Sequence, residues 1–283
     1  MDGVQPADAR GGGTSVNLVA GMVVRNELGR YLRWSLPALL EYADHVVILD
    51  DHSDDGTFEW LDGLEMHGRV RVVRSDLPPM FENEGAVRQH LHALTLALEP
   101  THVIAVDADE FIGDGHVIRD RLNDHLVSRD RLRLHAWTCA MEEIWDVTSQ
   151  ELACRCDGSW RPHDVPVLYS VPDGMKTPGR WMWSDRALAS GRVPQEVSSL
   201  ALRRGAAPTG TEILHFGWAD QRERQQRAAR YAALDGGRFH ANTHLQSILW
   251  PESRQSRGER EWPPALLPYR AQLVRHVNGT TGT

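Results

Sequence analysis

The chain reads as an α/β protein with an open, mostly parallel sheet and helices on both faces. Three observations predict this. Apolar runs recur at "VNLVAGMVV" (16–24), "HVVIL" (45–49), "RVRVV" (69–73) and "HVIAV" (102–106). The first two are of the continuous kind that a parallel sheet buries on both faces. Stretches with helical spacing lie between them, so strand and helix alternate over the first 110 residues. Two of the four runs lead into carboxylates, Asp50/Asp51 and Asp107/Asp109/Glu110.

After the first run, Leu32, Leu36, Leu39 and Leu40 fall on one helical face, with Pro37 expected to kink the helix or start a second segment. "DGTFEWLDGL" reads as a short helix behind the second strand. Ala86, Val87, His90, Leu91, Leu94 and Leu98 mark one face of the helix before the fourth. Past residue 130 the pattern loosens. "RLRLHAW" reads as a strand, and "EILHFGW" (212–218) as a strand or loop followed by a polar helix, "ADQRERQQRAARYAAL". The expected organisation is a disordered leader (1–15), one catalytic domain (16–250) and a partly flexible C-terminal extension (251–283). Within the domain, 16–112 is a Rossmann-like half holding ligand and metal, and 113–250 a mixed, acceptor-binding half.

The 283 residues suffice for a sizeable core, and 41% hydrophobic with 25% charged residues is ordinary globular composition. No run of about 18 apolar residues exists, and the leader lacks the apolar stretch of a signal peptide. Cys139, Cys154 and Cys156 are odd in number and lack zinc spacing, which predicts reduced thiols in a cytoplasmic protein. The net charge of −8 is uneven: residues 1–150 carry 13 Lys+Arg against 26 Asp+Glu, residues 151–283 carry 18 against 13. Bulk acidity disfavours a protein that lives on nucleic-acid backbone. The acidic half suits cations, and the basic half could face an anion.

In an open parallel sheet, ligands bind at the carboxyl ends of the strands. Both acidic clusters should therefore share one rim. A hard divalent cation takes oxygen ligands, commonly one or two carboxylates plus phosphate oxygens. Ala108 between Asp107 and Asp109 lets backbone approach a ligand closely. The bland alternative makes Ser53, Asp54 and Asp55 a turn and helix cap, and Asp107/Asp109 a solvated loop.

"GMVVRNE", "ILDDHSDDGT" and "AVDADEF", in this order and at these separations, resemble the family-2-type glycosyltransferases with the GT-A fold, strongly over about 16–112 and weakly on to "HFGW" (215–218). The resemblance implies transfer of a sugar from a nucleotide-diphospho-sugar, a UDP-sugar foremost, with Mn²⁺ or Mg²⁺ and inversion at the sugar. It implies that Arg25, Asn26, Glu27, Asp50 and Asp51 hold the nucleoside, with Asp51 or Asp50 on base and ribose. It assigns Asp107 and Asp109 to metal and diphosphate, Arg88 to the phosphates, and His215 as a second metal ligand. Such a reaction also needs a carboxylate to take the acceptor's proton. Glu196 is the first candidate, with Asp185 and Glu142/Glu143 in competition.

Each assignment has a plainer rival: Arg88 as an exposed helix residue, His215 as a packed core residue, Glu196 as a surface glutamate. His240 and His244 in "HANTH" have zinc spacing but no acidic partner. Trp137, Trp145, Trp160, Trp181 and Trp183 could stack on sugars or pack the core, with Trp181 and Trp183 on one face if that piece is a strand. Arg222, Arg224, Arg227 and Arg230 could meet an anionic acceptor, nucleic acid included as a minority possibility, or form a solvated face. Two rival functions are a sugar nucleotidyltransferase, disfavoured because "VVRNELGR" offers a single glycine, and a non-catalytic binding relative.

Overall fold

The computed structural model describes residues 15–64, 68–128, 132–155, 163–177, 179, 181–183, 191–204, 206–234 and 256–279. The leader up to residue 14, Cys156, Trp160, Asp185 and the "HANTH" stretch lie outside these.

Four parallel strands form the N-terminal half: β1 (Leu18–Val24), β2 (His45–Asp50), β3 (Val70–Arg74) and β4 (His102–Ala105), in the order β3-β2-β1-β4. Their side chains alternate in direction. Ala20, Met22, Val46 and Ile48 pack with Leu32, Leu36 and Leu39 of helix α1 (Leu32–Leu40) and with Ile118 and Leu122 of α4 (Gly115–Val127). Val19, Val47 and Leu49 face Val87 and Leu91 of α3 (Glu84–Leu96) on the other side. Burial on both faces is why these strands are continuously apolar. Pro37 sits inside α1 without ending it. The short α2 (Thr57–Asp62) begins after Gly56, whose φ of 91° a side chain would strain.

The sheet continues as the mixed half. Beside β4 lie β8 (His163–Ser170), β6 (Ala136–Val147), β7 (Glu151–Arg155) and β10 (Ser256–Glu261), all in antiparallel pairs. β9 (Ala207–His215) runs parallel to β6 and antiparallel to β5 (Glu110–Ile112). The last helices are α5 (Gln195–Arg204), α6 (Gln221–Leu234) and α7 (Arg270–Val277). No helix among the described residues is long and apolar enough to cross a membrane.

Three expectations change. The stretch 256–279 is part of a core rather than an appended tail: β10 extends the sheet, and Trp262, Leu266 and Leu273 pack with Phe111, Ile144 and Phe216. Trp181 and Trp183 do not lie on a strand; Trp181 is buried against Tyr169 and donates to the Met175 carbonyl at 2.7 Å. The polar helix is not simply solvated. Arg224 of α6 is 4% exposed, sits over the Trp145 ring at 4.1 Å and donates to the carbonyls of Trp145 and Trp218.

Candidate active site

The loops after β1 and β2 lock together on the sheet's carboxyl rim. Asn26 and His52 both adopt left-handed backbone, φ 57° and 60°, which asparagine tolerates better than histidine. The Asn26 amide donates to Ser53 Oγ at 2.9 Å, and its side chain trades hydrogen bonds with Asp54 at 2.8 and 2.9 Å. The amides of Glu27 and Leu28 both donate to Thr57 Oγ1 at 2.8 Å, and Thr57 is held by Asp55. Ser53, Asp54 and Asp55 are therefore turn builders, as the plainer reading had it.

Asp50 and Asp51 point to opposite sides of this rim. Asp50 is fully buried; its Oδ2 accepts the Ser53 amide at 3.2 Å with Arg74 at 3.7 Å, and its Oδ1 has no partner among the described residues. Asp51, 2% exposed, accepts the Met80 amide on both oxygens and has Arg25 at 3.7 Å. Arg25, Asn26, Asp50 and Asp51 thus gather at one end of the sheet.

The second cluster lies on the loop from β4 to β5. Asp107 Oδ1 accepts from both terminal nitrogens of Arg88, at 3.2 and 3.3 Å, and Arg192 lies 3.6 Å from its Oδ2. Arg88 is 5% exposed, not the surface arginine of the plainer reading. Arg192 also donates to Glu110 at 2.8 Å. Burial would raise the Asp107 carboxyl, but the two guanidinium groups outweigh it and hold it below its ordinary value.

Asp109 is 6% exposed and has three cationic neighbours: Arg227 at 2.9 Å, His215 Nε2 at 3.6 Å and Arg30 at 3.8 Å. Against burial, His215 first and then the guanidinium groups keep it well below the usual carboxylate range. The other His215 nitrogen, Nδ1, pairs with Glu143 Oε2 at 2.5 Å. Burial alone would lower His215; Glu143 and Asp109 together raise it well above an ordinary imidazole. Glu27 enters the network through Arg30, to which it is hydrogen-bonded. Burial pushes the Glu27 carboxyl up to about 8, only partly offset by Arg30.

His215 reaches Asp109 because of strand register. β5 and β9 pair Glu110 with His215, and the Phe216 amide donates to the Asp109 carbonyl at 2.8 Å. Gly217 completes the arrangement. A Cβ there would lie 2.5 Å from His215 Nε2, 2.6 Å from Asp109 Oδ2 and 2.8 Å from an Arg227 nitrogen. Three polar atoms thus converge on space that only glycine leaves open.

This donor set fits a divalent cation. Asp109 offers a carboxylate and His215 an imidazole nitrogen, while Glu143 holds the opposite ring nitrogen in the manner of a carboxylate behind a metal-bound histidine. Two protein ligands suffice where phosphate oxygens supply others.

Glu196 lies near the start of α5, and both its oxygens accept the Met182 amide at 3.2 Å. Its hydrogen bonds tie the 181–183 segment rather than the Asp107–Asp109 loop. Glu142 is taken by Arg260 at 2.8 Å and Glu143 by His215. Arg192 had no signal in the sequence, because the region around it follows no period. Arg227 was visible only as one arginine of a polar helix.

No protein-family model matches the chain. Uncharacterized proteins of Mycobacterium tuberculosis strain H37Rv and of Mycobacterium bovis are each 27% identical to it over 228 residues, covering 77% of this chain and 50% of theirs. The chain spans about half the length of these curated relatives. Among solved structures, Staphylococcus aureus TarS aligns over 86% of this chain and 44% of that one, at 13% identity and a TM-score of 0.49. TarS 1-349 in complex with UDP aligns over 83% and 70%, at 13% identity and 0.46. HddC from Yersinia pseudotuberculosis aligns over 54% and 76%, at 12% identity and 0.31. What the site can do follows from this chain's own residues.

Proposed function

We propose that the chain is a metal-dependent, inverting glycosyltransferase that takes its sugar from a nucleotide-diphospho-sugar, a UDP-sugar foremost. The observation that carries this is the convergence of Asp109, His215 and Arg227 on the space beside Gly217, on the same sheet rim as Asp51 and Arg25. A ligand spanning both clusters needs hydrogen-bond donors for carboxylates at one end and concentrated negative charge at the other. A nucleoside diphosphate has both.

Asp51 accepts from base or ribose, the buried Asp50 braces the Ser53 turn behind it, and Asn26 and Glu27 shape the backbone against the nucleoside. Asp109 and His215 hold Mn²⁺ or Mg²⁺, which when bound acts as a Lewis acid on the leaving diphosphate. Arg88, Arg192 and Arg227 neutralise Asp107 and Asp109 in the free protein. They turn part of their hydrogen bonding to phosphate oxygens when donor arrives, as guanidinium groups suit them. Glu196 takes the acceptor's proton on its carboxylate. Among the described candidates it is held by a backbone amide and not paired with a cation. The buried, unbridged Cys139 suits a reducing, cytoplasmic setting.

Thermal unfolding with UDP, GDP, dTDP and ADP, each with and without Mn²⁺, tests the reading. Ligand at about 100 times its dissociation constant stabilises by about 2.7 kcal/mol, a shift of a few degrees. One nucleotide should stabilise only with Mn²⁺, and Asp109→Asn should abolish the shift. Stabilisation that ignores both chelator and Asp109→Asn would overturn the metal-dependent site; no shift with any nucleotide would overturn the donor.

A further inference from the structure

Behind Arg30, a second group of side chains meets where α6, α7 and the start of α1 come together. Asp220, Glu223 and His276 each offer a ligand atom, and these atoms lie within 4.8 Å of one another. Asp220 Oδ1 is engaged by the amides of Arg222 and Glu223 at the first turn of α6, at 2.6 and 3.4 Å. Glu223 Oε2 accepts from Arg30 at 2.8 Å. Glu223 Oε1 faces His276 Nε2 across 3.8 Å, too far for a hydrogen bond, and that buried nitrogen has no hydrogen-bond partner among the described residues.

An independent observation points to something between them. Tyr31 is fully buried, yet its hydroxyl has no partner among the described residues. Its ring meets the His276 ring edge-on at 5.0 Å. Buried polar groups are almost always satisfied by protein, water or an ion. An ion that carries a bound water would satisfy the phenol, the imidazole nitrogen and the two carboxylates together.

We propose that Asp220, Glu223 and His276 form a second divalent-cation site, separate from Asp109 and His215, for a borderline ion of the Zn²⁺ class, with the Tyr31 hydroxyl bonded to a water on that ion. One imidazole with two carboxylates suits such an ion. Ligands about 2.1 Å from a common ion stand roughly 3–3.5 Å apart, so the present spacing needs only a small closure. The ion ties α7 to α6 and, through Glu223 and Arg30, to the loop that carries Glu27. Its role is to position Arg30 and the C-terminal helix.

The test strips the full chain of metal and titrates it with Co²⁺, following visible absorption, metal content after desalting and displacement by Zn²⁺. The expected result is a Zn²⁺-displaceable Co²⁺ chromophore that Asp109→Asn retains and His276→Gln loses. Glu223→Gln should weaken it as well, and it decides the matter if circular dichroism shows that His276→Gln does not fold. Absence of the chromophore overturns the proposal. So does its loss in Asp109→Asn, or its persistence undiminished in whichever of the two folded variants is measured.

Discussion

Glu143 shows how one neighbour sets what a histidine can do. Its carboxylate on His215 Nδ1 leaves Nε2 turned toward Asp109 and the space at Gly217. Glu143→Gln keeps the shape and removes the charge. Loss of such a supporting carboxylate typically weakens metal affinity about 10- to 100-fold. The Mn²⁺ concentration needed for half-maximal nucleotide stabilisation should rise accordingly, with the unfolding temperature of the ligand-free chain little changed. Gly217→Ala tests the same space differently. Its methyl group would lie within 2.8 Å of three polar atoms, so it should abolish Mn²⁺-dependent stabilisation while the sheet folds. The sequence showed Asp107, Asp109 and His215, because strand-end carboxylates and "HFGW" are local patterns. It could not show that Arg192 and Arg227 neutralise the two aspartates, since those contacts join residues 85 and 118 positions apart.

At the scale of elements, the legible parts were those with a period. The apolar runs became β1 to β4 because burial on both faces demands uninterrupted apolar residues. Pro37 is expected to kink the helix or start a second segment; α1 runs through it from Leu32 to Leu40 as one helix, with Leu32, Leu36 and Leu39 buried against the sheet. Leu36→Ala should therefore cost about 2–5 kcal/mol, read as a lower urea midpoint; a change near zero would mean that α1 does not pack as described. α6 looked solvent-facing because its first half, Gln221 to Arg227, is entirely polar or charged. Arg224 reverses that by stacking on Trp145 and capping backbone carbonyls, which no spacing rule reports.

For the whole molecule, the uneven charge has an internal meaning. Arg192 and Arg227, from the basic half, neutralise Asp107 and Asp109 of the acidic half. The asymmetry serves the chain's own interior as much as any anionic partner. Acid sensitivity is set elsewhere, by His92 and His102, which burial pushes down to about 3. Unfolded histidines titrate near 6.5, so between that value and about 3 the unfolded chain holds more protons. Their contribution is therefore full above pH about 6.5 and falls as pH drops through that window, by on the order of a few kcal/mol per histidine at its lower end. Glu27 and His215, both raised, act in the opposite direction over part of the same range, so the test follows the imidazoles themselves. The ring signals of His92 and His102 in the folded chain should not titrate between about pH 7.5 and 5; titration of both would show that neither imidazole is buried neutral.

The pairing of β5 with β9 carries a consequence for the order of events in folding. Asp109 and His215 are neighbours only because Glu110–Ile112 lies against Ile213–His215, strands separated by about a hundred residues of chain. Closing so long a loop is slow, and contacts of high sequence separation form late. The parallel strands of the first half can assemble while a ribosome is still making the second, but the proposed phosphate site cannot exist until β9 has docked. Refolding from urea should thus recover helix and sheet signal before the ability to bind nucleotide with Mn²⁺. A nascent chain that ends short of His215 would carry the aspartates without the site.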